Sequence, residues 1–275
     1  DVTDAPVKGN QEGIFGYGDV YSLTNLVSNA GVVAADVTGV GTARYYMAAT
    51  QYGGDKGIFG FGRSSASQYN GMTNLVSNAG VVATDVTAVG TDRRGLAACS
   101  YGDDKGIFGF GKDASGLTDI TNLVSNAGVV ATDVTGVGTA KQYLAACEYG
   151  GDKGIFGFGH DGSSYTAVTN LVSNAGVVAT DVTGVGTVRH LLGACSYGYD
   201  KGIFGYGADA GGNLSMTNLV SNAGVVATDT TGVGSARESL AACEYGYDKG
   251  IFGYGWDGSL TATTNLVSNA GVVGT

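Results

Sequence analysis

Few side chains in this sequence of 275 residues have the types and spacing that catalysis requires. Histidine, the most frequent general acid and base, occurs only as His160 and His190, and no serine stands in the sequence context of a nucleophile elbow. Gly39-Val40-Gly41 lacks the further glycine and the helix of a dinucleotide-binding loop. A pair of carboxylates that hydrolyses a glycosidic bond has no sequence signature, so this enzymatic alternative stays open. The sequence therefore predicts a protein that is not an enzyme.

The cysteines and four loop aspartates are the candidate metal ligands. Cys99, Cys147, Cys195 and Cys243 are spaced by 48 residues, so they occupy one position in successive copies of an internal repeat. Equivalent atoms of neighbouring copies lie beyond disulfide reach, and we expect free, buried thiols. A single carboxylate per loop forms an Asx-turn more often than a calcium site. The loop aspartates are Asp113, Asp161, Asp209 and Asp257. No metal site and no cofactor is predicted.

A repeated tyrosine and aspartate pair suits carbohydrate binding. A tyrosine ring stacks on a sugar face, a carboxylate accepts hydrogen bonds from hydroxyls, and repetition makes such a site multivalent. The same residues also suit ordinary hairpin ends, which is the structural alternative. The members of this predicted glycan ring are Tyr101, Asp104, Tyr149, Asp152, Tyr197, Asp200, Tyr245 and Asp248, with Tyr52 and Asp55 at equivalent positions.

The copies of the repeat differ mainly in two segments. One is a loop after the second predicted strand, the other is the crossover into the next copy, and both are expected on the same side of the protein. This side collects both histidines and the single tryptophan. A variable surface on a rigid scaffold is a usual place for binding, although drift in solvated loops gives the same pattern. The predicted partner-binding residues are Arg63, Tyr69, Arg93, Arg94, Lys112, His160, Tyr165, His190 and Trp256.

A repeat of about 48 residues, present six times, positions these residues. The segment Gly-Ile-Phe-Gly begins at Gly13, Gly57, Gly106, Gly154, Gly202 and Gly250, and we number repeats 1 to 6 by these starts. The segment Thr-Asn-Leu-Val-Ser-Asn-Ala-Gly follows in every copy. A period of this length is typical of propeller blades. The sequence therefore predicts an all-β, six-bladed β-propeller with four antiparallel strands per blade.

Within repeat 3, four short runs of β-forming residues alternate with turn residues. We predict strands at 96–101, 106–111, 120–125 and 129–135. In the second strand of repeat 2, alternation places Phe59 and Phe61 on one face and Gly60 on the other. We expect the rings of one blade to fill the space beside the glycines of the next, which makes these aromatic residues part of the core.

The two ends of the sequence predict how the propeller closes. The last copy stops within its outer strand at Thr275, and the chain opens with Asp1-Val2-Thr3, which matches Asp36-Val37-Thr38. We expect the N-terminal strand to complete the last blade and to cover exposed sheet edges. The inner strand of repeat 1, expected within residues 6–12, is shortened. The prediction is a single domain that spans residues 1–275.

Charge and composition argue against several kinds of partner. The net charge of −10 and the scattered basic residues disfavour nucleic acid, because phosphate binding requires clustered Lys and Arg. No segment has the run of about 18 apolar residues that predicts a membrane span. The first residues lack the pattern of a signal peptide. Insertion into a membrane is therefore not expected.

The repeat unit resembles kelch-type repeats in structural proteins of tailed bacteriophages. The residues that carry the resemblance are Gly202-Ile203-Phe204-Gly205-Tyr206-Gly207 and the run from Thr217 to Gly234, and the resemblance covers residues 13–275. It implies a virion or tail-associated protein with a role in host attachment.

The predicted function is non-enzymatic binding and assembly in a virion or an extracellular appendage. The expected partners are other structural proteins or cell-surface glycans. A multivalent, lectin-like carbohydrate-binding protein is the alternative. The sequence leaves open whether the chain forms a homo-oligomer and which face makes the contacts.

Overall fold

A computed structural model describes residues 11–19, 21–65 and 68–275 of the chain. In these ranges the protein consists of short antiparallel sheets and contains no helix. No helix with the length and apolarity of a membrane span is therefore present in the described ranges. The prediction of an all-β protein is confirmed.

Each repeat forms one small sheet. The strands are β1 (Gly13–Gly18), β2 (Tyr21–Val27), β3 (Ala48–Tyr52), β4 (Lys56–Gly60), β5 (Arg63–Ser65), β6 (Gln68–Tyr69), β7 (Thr73–Val76), β8 (Ala97–Tyr101), β9 (Lys105–Gly109), β10 (Thr121–Val124), β11 (Ala145–Tyr149), β12 (Lys153–Gly157), β13 (Thr169–Val172), β14 (Gly193–Tyr197), β15 (Lys201–Gly205), β16 (Ala208–Asp209), β17 (Gly212–Asn213), β18 (Thr217–Val220), β19 (Ala241–Tyr245), β20 (Lys249–Gly253) and β21 (Thr264–Val267). Repeats 2 to 6 form the three-stranded sheets β3-β4-β7, β8-β9-β10, β11-β12-β13, β14-β15-β18 and β19-β20-β21. The described part of repeat 1 forms the sheet β1-β2, and the hairpins β5-β6 and β16-β17 extend from loops.

The first hairpin of each repeat depends on residues that tolerate a left-handed backbone. In repeat 3, β8 and β9 pair in a register that places Cys99 opposite Ile107. The turn between them has Gly102 at a φ of 58° and Asp103 at a φ of 68°. Glycine and aspartate adopt such values more readily than most residues do. The predicted hairpin turn is confirmed.

The predicted fourth strand of each blade is not a regular strand. In repeat 3, residues 129–135 pair with β10 only through isolated bridges at Val130 and Val134. Between these bridges, Nδ2 of the buried Asn122 donates to the carbonyl oxygen of Ala131 at 3.0 Å and to Oδ1 of Asp133 at 2.9 Å. Because the amide side chain takes the place of continuous backbone pairing, the repeat has three strands and a bridged outer segment.

The sheets pack through aromatic rings that fill the space beside glycines. A Cβ atom built on Gly60 would lie 2.7 Å from Cζ of Phe108 in the next repeat, closer than real Cβ contacts allow. Equivalent contacts of 2.7 to 2.9 Å pair Gly16 with Phe59, Gly109 with Phe156, Gly157 with Phe204, Gly205 with Phe252 and Gly253 with Phe15. The predicted packing of rings beside glycines is confirmed, and it joins each repeat to the next and repeat 6 to repeat 1.

The prediction that Phe59 and Phe61 share one face is wrong. Phe59 packs toward repeat 1, where its ring lies 5.1 Å from Tyr17, and Phe61 packs toward repeat 3, 5.1 Å from Phe108. The reason is a φ of 62° at Phe61, in the left-handed region. This value ends the alternation of the strand and turns the second ring toward the other neighbour.

Backbone hydrogen bonds also connect neighbouring sheets. At one end of the inner strands, the amide of Gly53 donates to the carbonyl oxygen of Asp104 at 2.7 Å. The equivalent bond between repeats 6 and 1 runs from the amide of Gly246 to the carbonyl oxygen of Gln11, also at 2.7 Å. The predicted closing strand, Asp1 to Thr3, and residues 6–10 of the predicted inner strand of repeat 1 lie outside the described residues.

Candidate functional site

The two variable segments of each repeat lie side by side. Isolated backbone bridges join crossover residues to loop residues, and they pair Tyr45 with Arg63, Arg94 with Lys112, Gln142 with His160, His190 with Ala208, and Glu238 with Trp256. We call the surface around these pairs the crossover face. The prediction that loops and crossovers emerge on the same side is confirmed.

A continuous line of aromatic side chains runs across this face. The ring of Tyr46 lies 5.1 Å from that of Tyr45 and 5.0 Å from that of Tyr143, and Tyr143 lies 6.1 Å from His190. Tyr165 stacks on His190 with ring centroids 4.5 Å apart and planes 16° apart. We call Tyr45, Tyr46, Tyr143, His190, Tyr165 and His160 the aromatic row; its last member, His160, lies 5.4 Å from Tyr165.

A glycine in the middle repeat permits this contact between tyrosines. Tyr46 precedes repeat 2 and Tyr143 precedes repeat 4, and Gly95 holds the equivalent position before repeat 3. A Cβ atom on Gly95 would lie 3.2 Å from the ring of Tyr143. The amide of Gly95 donates to the carbonyl oxygen of Tyr46, and the amide of Tyr143 donates to that of Gly95, both at 2.7 Å. These hydrogen bonds align three crossovers. Because Gly95 has no side chain, the rings of Tyr46 and Tyr143 can contact each other.

Arg94 lies among three tyrosines beside this row. Its guanidinium carbon is 5.6 Å from the ring centroid of Tyr46, 5.9 Å from that of Tyr69 and 5.4 Å from that of Tyr143. Its Nη1 donates a short hydrogen bond to Oη of Tyr143. Cation–π contacts of this kind are favourable, and more so where water is excluded. They hold the guanidinium at the surface in a defined orientation.

Most of the predicted partner-binding residues reach this surface, and they form two groups. Arg94 contacts Tyr69, and His160, Tyr165 and His190 form a second cluster further along the row. Trp256 is half-exposed in repeat 6, and among the described residues its ring has no aromatic contact with the row. Tyr45, Tyr46 and Tyr143 were missed as site residues. Their position within the variable crossovers is the sequence signal that identifies them.

Arg93 is a correction, because this residue is fully buried and cannot contact a partner. Its Nε donates to the carbonyl oxygen of Phe110 at 3.0 Å, and its Nη2 donates to Oδ1 of Asn122 at 2.5 Å. The equivalent buried cations are Arg44, Lys141, Arg189 and Arg237. A basic residue at this crossover position in all five copies, next to variable positions, is the signal that indicates a structural role.

The predicted glycan ring is also a correction, because its tyrosines are only 4 to 5% exposed. Each ring is covered by a turn glycine of a neighbouring repeat: a Cβ atom on Gly176 would lie 2.8 Å from Cζ of Tyr101. Tyr149, Tyr197 and Tyr245 have equivalent covers at Gly224, Gly271 and Gly31. Burial raises the pKa of the tyrosine hydroxyls. The faces of these predicted rings are therefore not available for a sugar.

The aspartates of that ring serve the turns in which they lie. Asp104 accepts hydrogen bonds from Nζ of Lys105 at 2.8 Å and from Nδ2 of Asn126 at 3.0 Å. These two hydrogen bonds lower the pKa of Asp104. Asp152 and Asp200 each accept from a lysine and an asparagine in the same way, and Asp248 pairs with Lys249. The structural alternative, in which these residues form hairpin ends, describes the observed contacts.

The residues considered as metal ligands have local structural contacts. The cysteines are free, and burial raises the pKa of Cys147 to about 12. Oδ1 of Asp161 accepts hydrogen bonds from the amides of Ser164 at 2.8 Å and Ser163 at 2.9 Å, which lower the pKa of Asp161 to about 2. The Asx-turn interpretation is thus confirmed. In the described ranges, no three His, Cys, Asp or Glu side chains are grouped as metal ligands.

Polar side chains of the inner strands line a cavity of about 210 Å³. Gln51 donates from Nε2 to Oγ of Ser100 at 3.2 Å and to Oε2 of Glu148 at 3.1 Å. Ser100 donates a short hydrogen bond to the same Glu148 oxygen. Glu148 and Glu244 both line the cavity. The volume is below that of usual ligand pockets, which are about 300–1,000 Å³.

Comparison with known proteins gives information on the fold alone. No protein-family profile matches the sequence, and no curated protein matches it. Among solved structures, 267 chains resemble it. One of these, described as "Structure of YjhT", aligns with a TM-score of 0.70 at 9% sequence identity, over 94% of this chain and 92% of that chain. At this identity the similarity supports a shared fold and does not extend to function.

Proposed function

We propose that the chain is a closed, six-bladed β-propeller that acts as a binding module without catalysis. The cycle of aromatic and glycine contacts, in which Phe108 fills the space at Gly60 and Phe15 that at Gly253, supports closure.

The proposed binding surface is the crossover face, and the observation that carries this proposal is the aromatic row. Tyr, Trp and Arg are enriched among residues that dominate protein–protein binding energy, because they combine large contact area with hydrogen bonding. The row extends from Tyr45 to His160 through ring contacts of 4.5 to 6.1 Å. Rigid crossovers hold these rings before any partner arrives, which lowers the entropy lost on binding.

The proposed partner is a structural protein, and the proposed setting is a virion or an extracellular appendage, as the resemblance to phage kelch repeats implies. The lectin-like alternative required exposed rings on the opposite surface. Since Tyr101 and its equivalents are covered there, the predicted ring gives that alternative no support.

Photo-crosslinking from the two faces tests this function. A photoreactive amino acid replaces Tyr165 on the crossover face or, as the matched control, Asn126 in an exposed turn of the opposite face. The proteins are produced in the native host, and crosslinked products are identified by mass spectrometry. We expect one discrete product from position 165 and none from position 126. Equal products from both positions, or none from 165, contradict the proposal, and binding on a glycan array would instead favour the lectin.

A further inference from the structure

Three cations of the crossover face differ from the other described cations. Lysines of the first hairpin turns contact the preceding aspartate, as Lys105 Nζ does with Asp104 Oδ1 at 2.8 Å. Three buried arginines lie near aspartates too: Nη1 of Arg93 is 3.8 Å from Oδ1 of Asp133, and Arg44 and Arg189 have equivalent contacts. In the described ranges, the partly exposed cations without an ion pair are Arg63, Arg94 and Lys112.

Arg63 and Arg94 lie beside Tyr69, and Lys112 is the backbone partner of Arg94. Arg63 pairs with Tyr69 across the hairpin β5-β6, and the ring of Tyr69 lies 5.9 Å from the guanidinium carbon of Arg94. Arg94 in turn exchanges backbone hydrogen bonds of 2.9 and 2.8 Å with Lys112. Arg63 also lies over the ring of Tyr45 at 5.0 Å. We call Arg63, Tyr69, Arg94 and Lys112 the basic patch.

The chemistry of the basic patch selects an anionic ligand. Guanidinium and ammonium groups donate hydrogen bonds and accept none, and a planar guanidinium matches the two oxygens of a carboxylate. In a chain of net charge −10, unpaired cations concentrated in repeats 2 and 3 attract acidic groups to this part of the surface. All four residues are partly exposed, and none of them lines the 210 Å³ cavity, so the patch lies on the surface outside that cavity. Open surfaces suit extended macromolecular segments, because small molecules require concave pockets.

We propose that the basic patch binds carboxylate side chains of an acidic polypeptide segment of the partner. The inference rests on the proposed function, since it names the chemistry of the partner at one end of the aromatic row. Arg63, Arg94 and Lys112 contact the carboxylates. The neighbouring rings of Tyr45 and Tyr69 contact the aliphatic parts of the same segment.

A peptide titration tests this inference. The probe is a blocked octaglutamate peptide, compared with octaglutamine and with a polyphosphate of equal charge, in calorimetry at low and at moderate salt. The wild type is expected to bind octaglutamate with an affinity that falls as salt rises. The triple variant R63Q/R94Q/K112Q is expected to bind about tenfold more weakly. The control K105Q/K153Q/K201Q has the same charge change on the opposite face and is expected to bind as the wild type does.

Three outcomes overturn the inference: equal binding of octaglutamine, equal or tighter binding of polyphosphate, or unchanged affinity in the triple variant. Thermal melting shows whether the triple variant remains folded. If it does not, the single variant R94Q replaces it in the same titration. A persistent crosslink from position 165 together with failed peptide binding overturns this inference alone. Absence of a crosslink from position 165 in the protein with an intact basic patch overturns the proposed function, whatever the peptide does.

Discussion

The guanidinium carbon of Arg93 lies 4.3 Å from the ring centroid of Phe61, and Nη2 of the same arginine donates to Oδ1 of Asn122. Phe61 belongs to repeat 2 and Asn122 to repeat 3, so one buried cation joins two sheets. Arg189 repeats this arrangement with Phe158 at 4.2 Å and with Asn218. Lysine takes the same place once, at Lys141.

Lys141→Arg is expected to stabilise the protein. Lys141 donates from Nζ to Oδ1 of Asn170 at 2.8 Å and to the carbonyl oxygen of Val168 at 3.2 Å. Arg93 and Arg189 donate from Nε to the carbonyl oxygens of Phe110 and Tyr206, and from Nη1 to those of Thr91 and Thr187. The added donors should raise the free energy of unfolding by about 1 kcal/mol, or Tm by about 2–4 °C. Calorimetry measures the change, and Lys105→Arg, in a surface ion pair, is the control without a shift.

The effect of Lys141→Arg on the free energy of unfolding is expected to depend on pH. Burial lowers the pKa of Lys141 from 10.5 to about 8 in the folded protein. Below pH 8 the Lys141 amine is protonated in both the folded and the unfolded protein, so the free-energy cost of burying its charge does not change with pH. Between pH 8 and 10.5 the unfolded state binds more protons, and wild-type stability therefore rises with pH relative to Lys141→Arg. Urea unfolding at pH 7, 8 and 9.5 measures the difference in free energy of unfolding between Lys141→Arg and the wild type. This difference should become smaller as the pH rises, and a constant difference would contradict this account.

Gly60→Ala is expected to destabilise the protein by roughly 1–3 kcal/mol, because its Cβ atom would overlap the ring of Phe108. Gly274→Ala is the control, because the other copies of the repeat carry alanine at this position. Among the described residues, the nearest atom to a Cβ built on Gly274 is 3.6 Å away, which is an ordinary contact. Denaturant unfolding should separate the two variants. Equal losses of unfolding free energy would show that ring packing at Gly60 is not the cause.

Asp133→Asn is expected to destabilise the protein near neutral pH and to have little effect in acid. Burial raises the pKa of Asp133, but hydrogen bonds from Asn122 and Thr91 outweigh it, so the pKa lies below 3.8. The carboxylate therefore contributes stability that is present above pH 3.8 and lost as pH falls through the lowered pKa. Loss of the charged hydrogen bonds should cost about 1.5–3 kcal/mol at pH 7.

The check on this prediction is thermal melting at pH 7 and at pH 2, where the two proteins should converge. Asp103→Asn is the control. Asp103 has a φ of 68° in an exposed turn, a conformation that asparagine also adopts, so its Tm should not change. If Asp133→Asn lowers Tm at pH 2 as much as it does at pH 7, the contribution of Asp133 to stability does not depend on its charge.

Tyr69→Ala and Trp256→Ala are expected to weaken partner binding by about tenfold or more while Tm changes by a few degrees at most. Trp256 is 44% exposed, and Tyr69 is partly exposed beside Arg94. The measurement is the affinity for the partner identified by crosslinking. Tyr199→Asn, on the opposite face, removes a ring that is 57% exposed and should leave the affinity unchanged. A large fall in Tm would identify the substituted residue as a packing residue.

Sequence reasoning anticipated the sheets more fully than the site. The turn at Gly102 and the contact between Gly60 and Phe108 follow from local residue types and from side-chain volume. The outer strand did not follow, because the Asn122 amide competes with backbone pairing. Arg93 and Arg94 are adjacent and chemically identical in the sequence, yet one is buried and the other is a candidate ligand-binding residue. The closed six-blade architecture, the single domain and the partner remain predictions.

The sequence by itself determined the repeat, the alternation of strands and turns, and the need for a ring beside each glycine, because these depend on period and on side-chain size. Only the tertiary structure decided which variable residues meet and which are buried. Left-handed backbone at Phe61 and at the crossover residues Tyr46 and Tyr143 redirects side chains toward different neighbours. Those neighbours lie in other repeats, and no local pattern of residues specifies contacts across such distances in the chain.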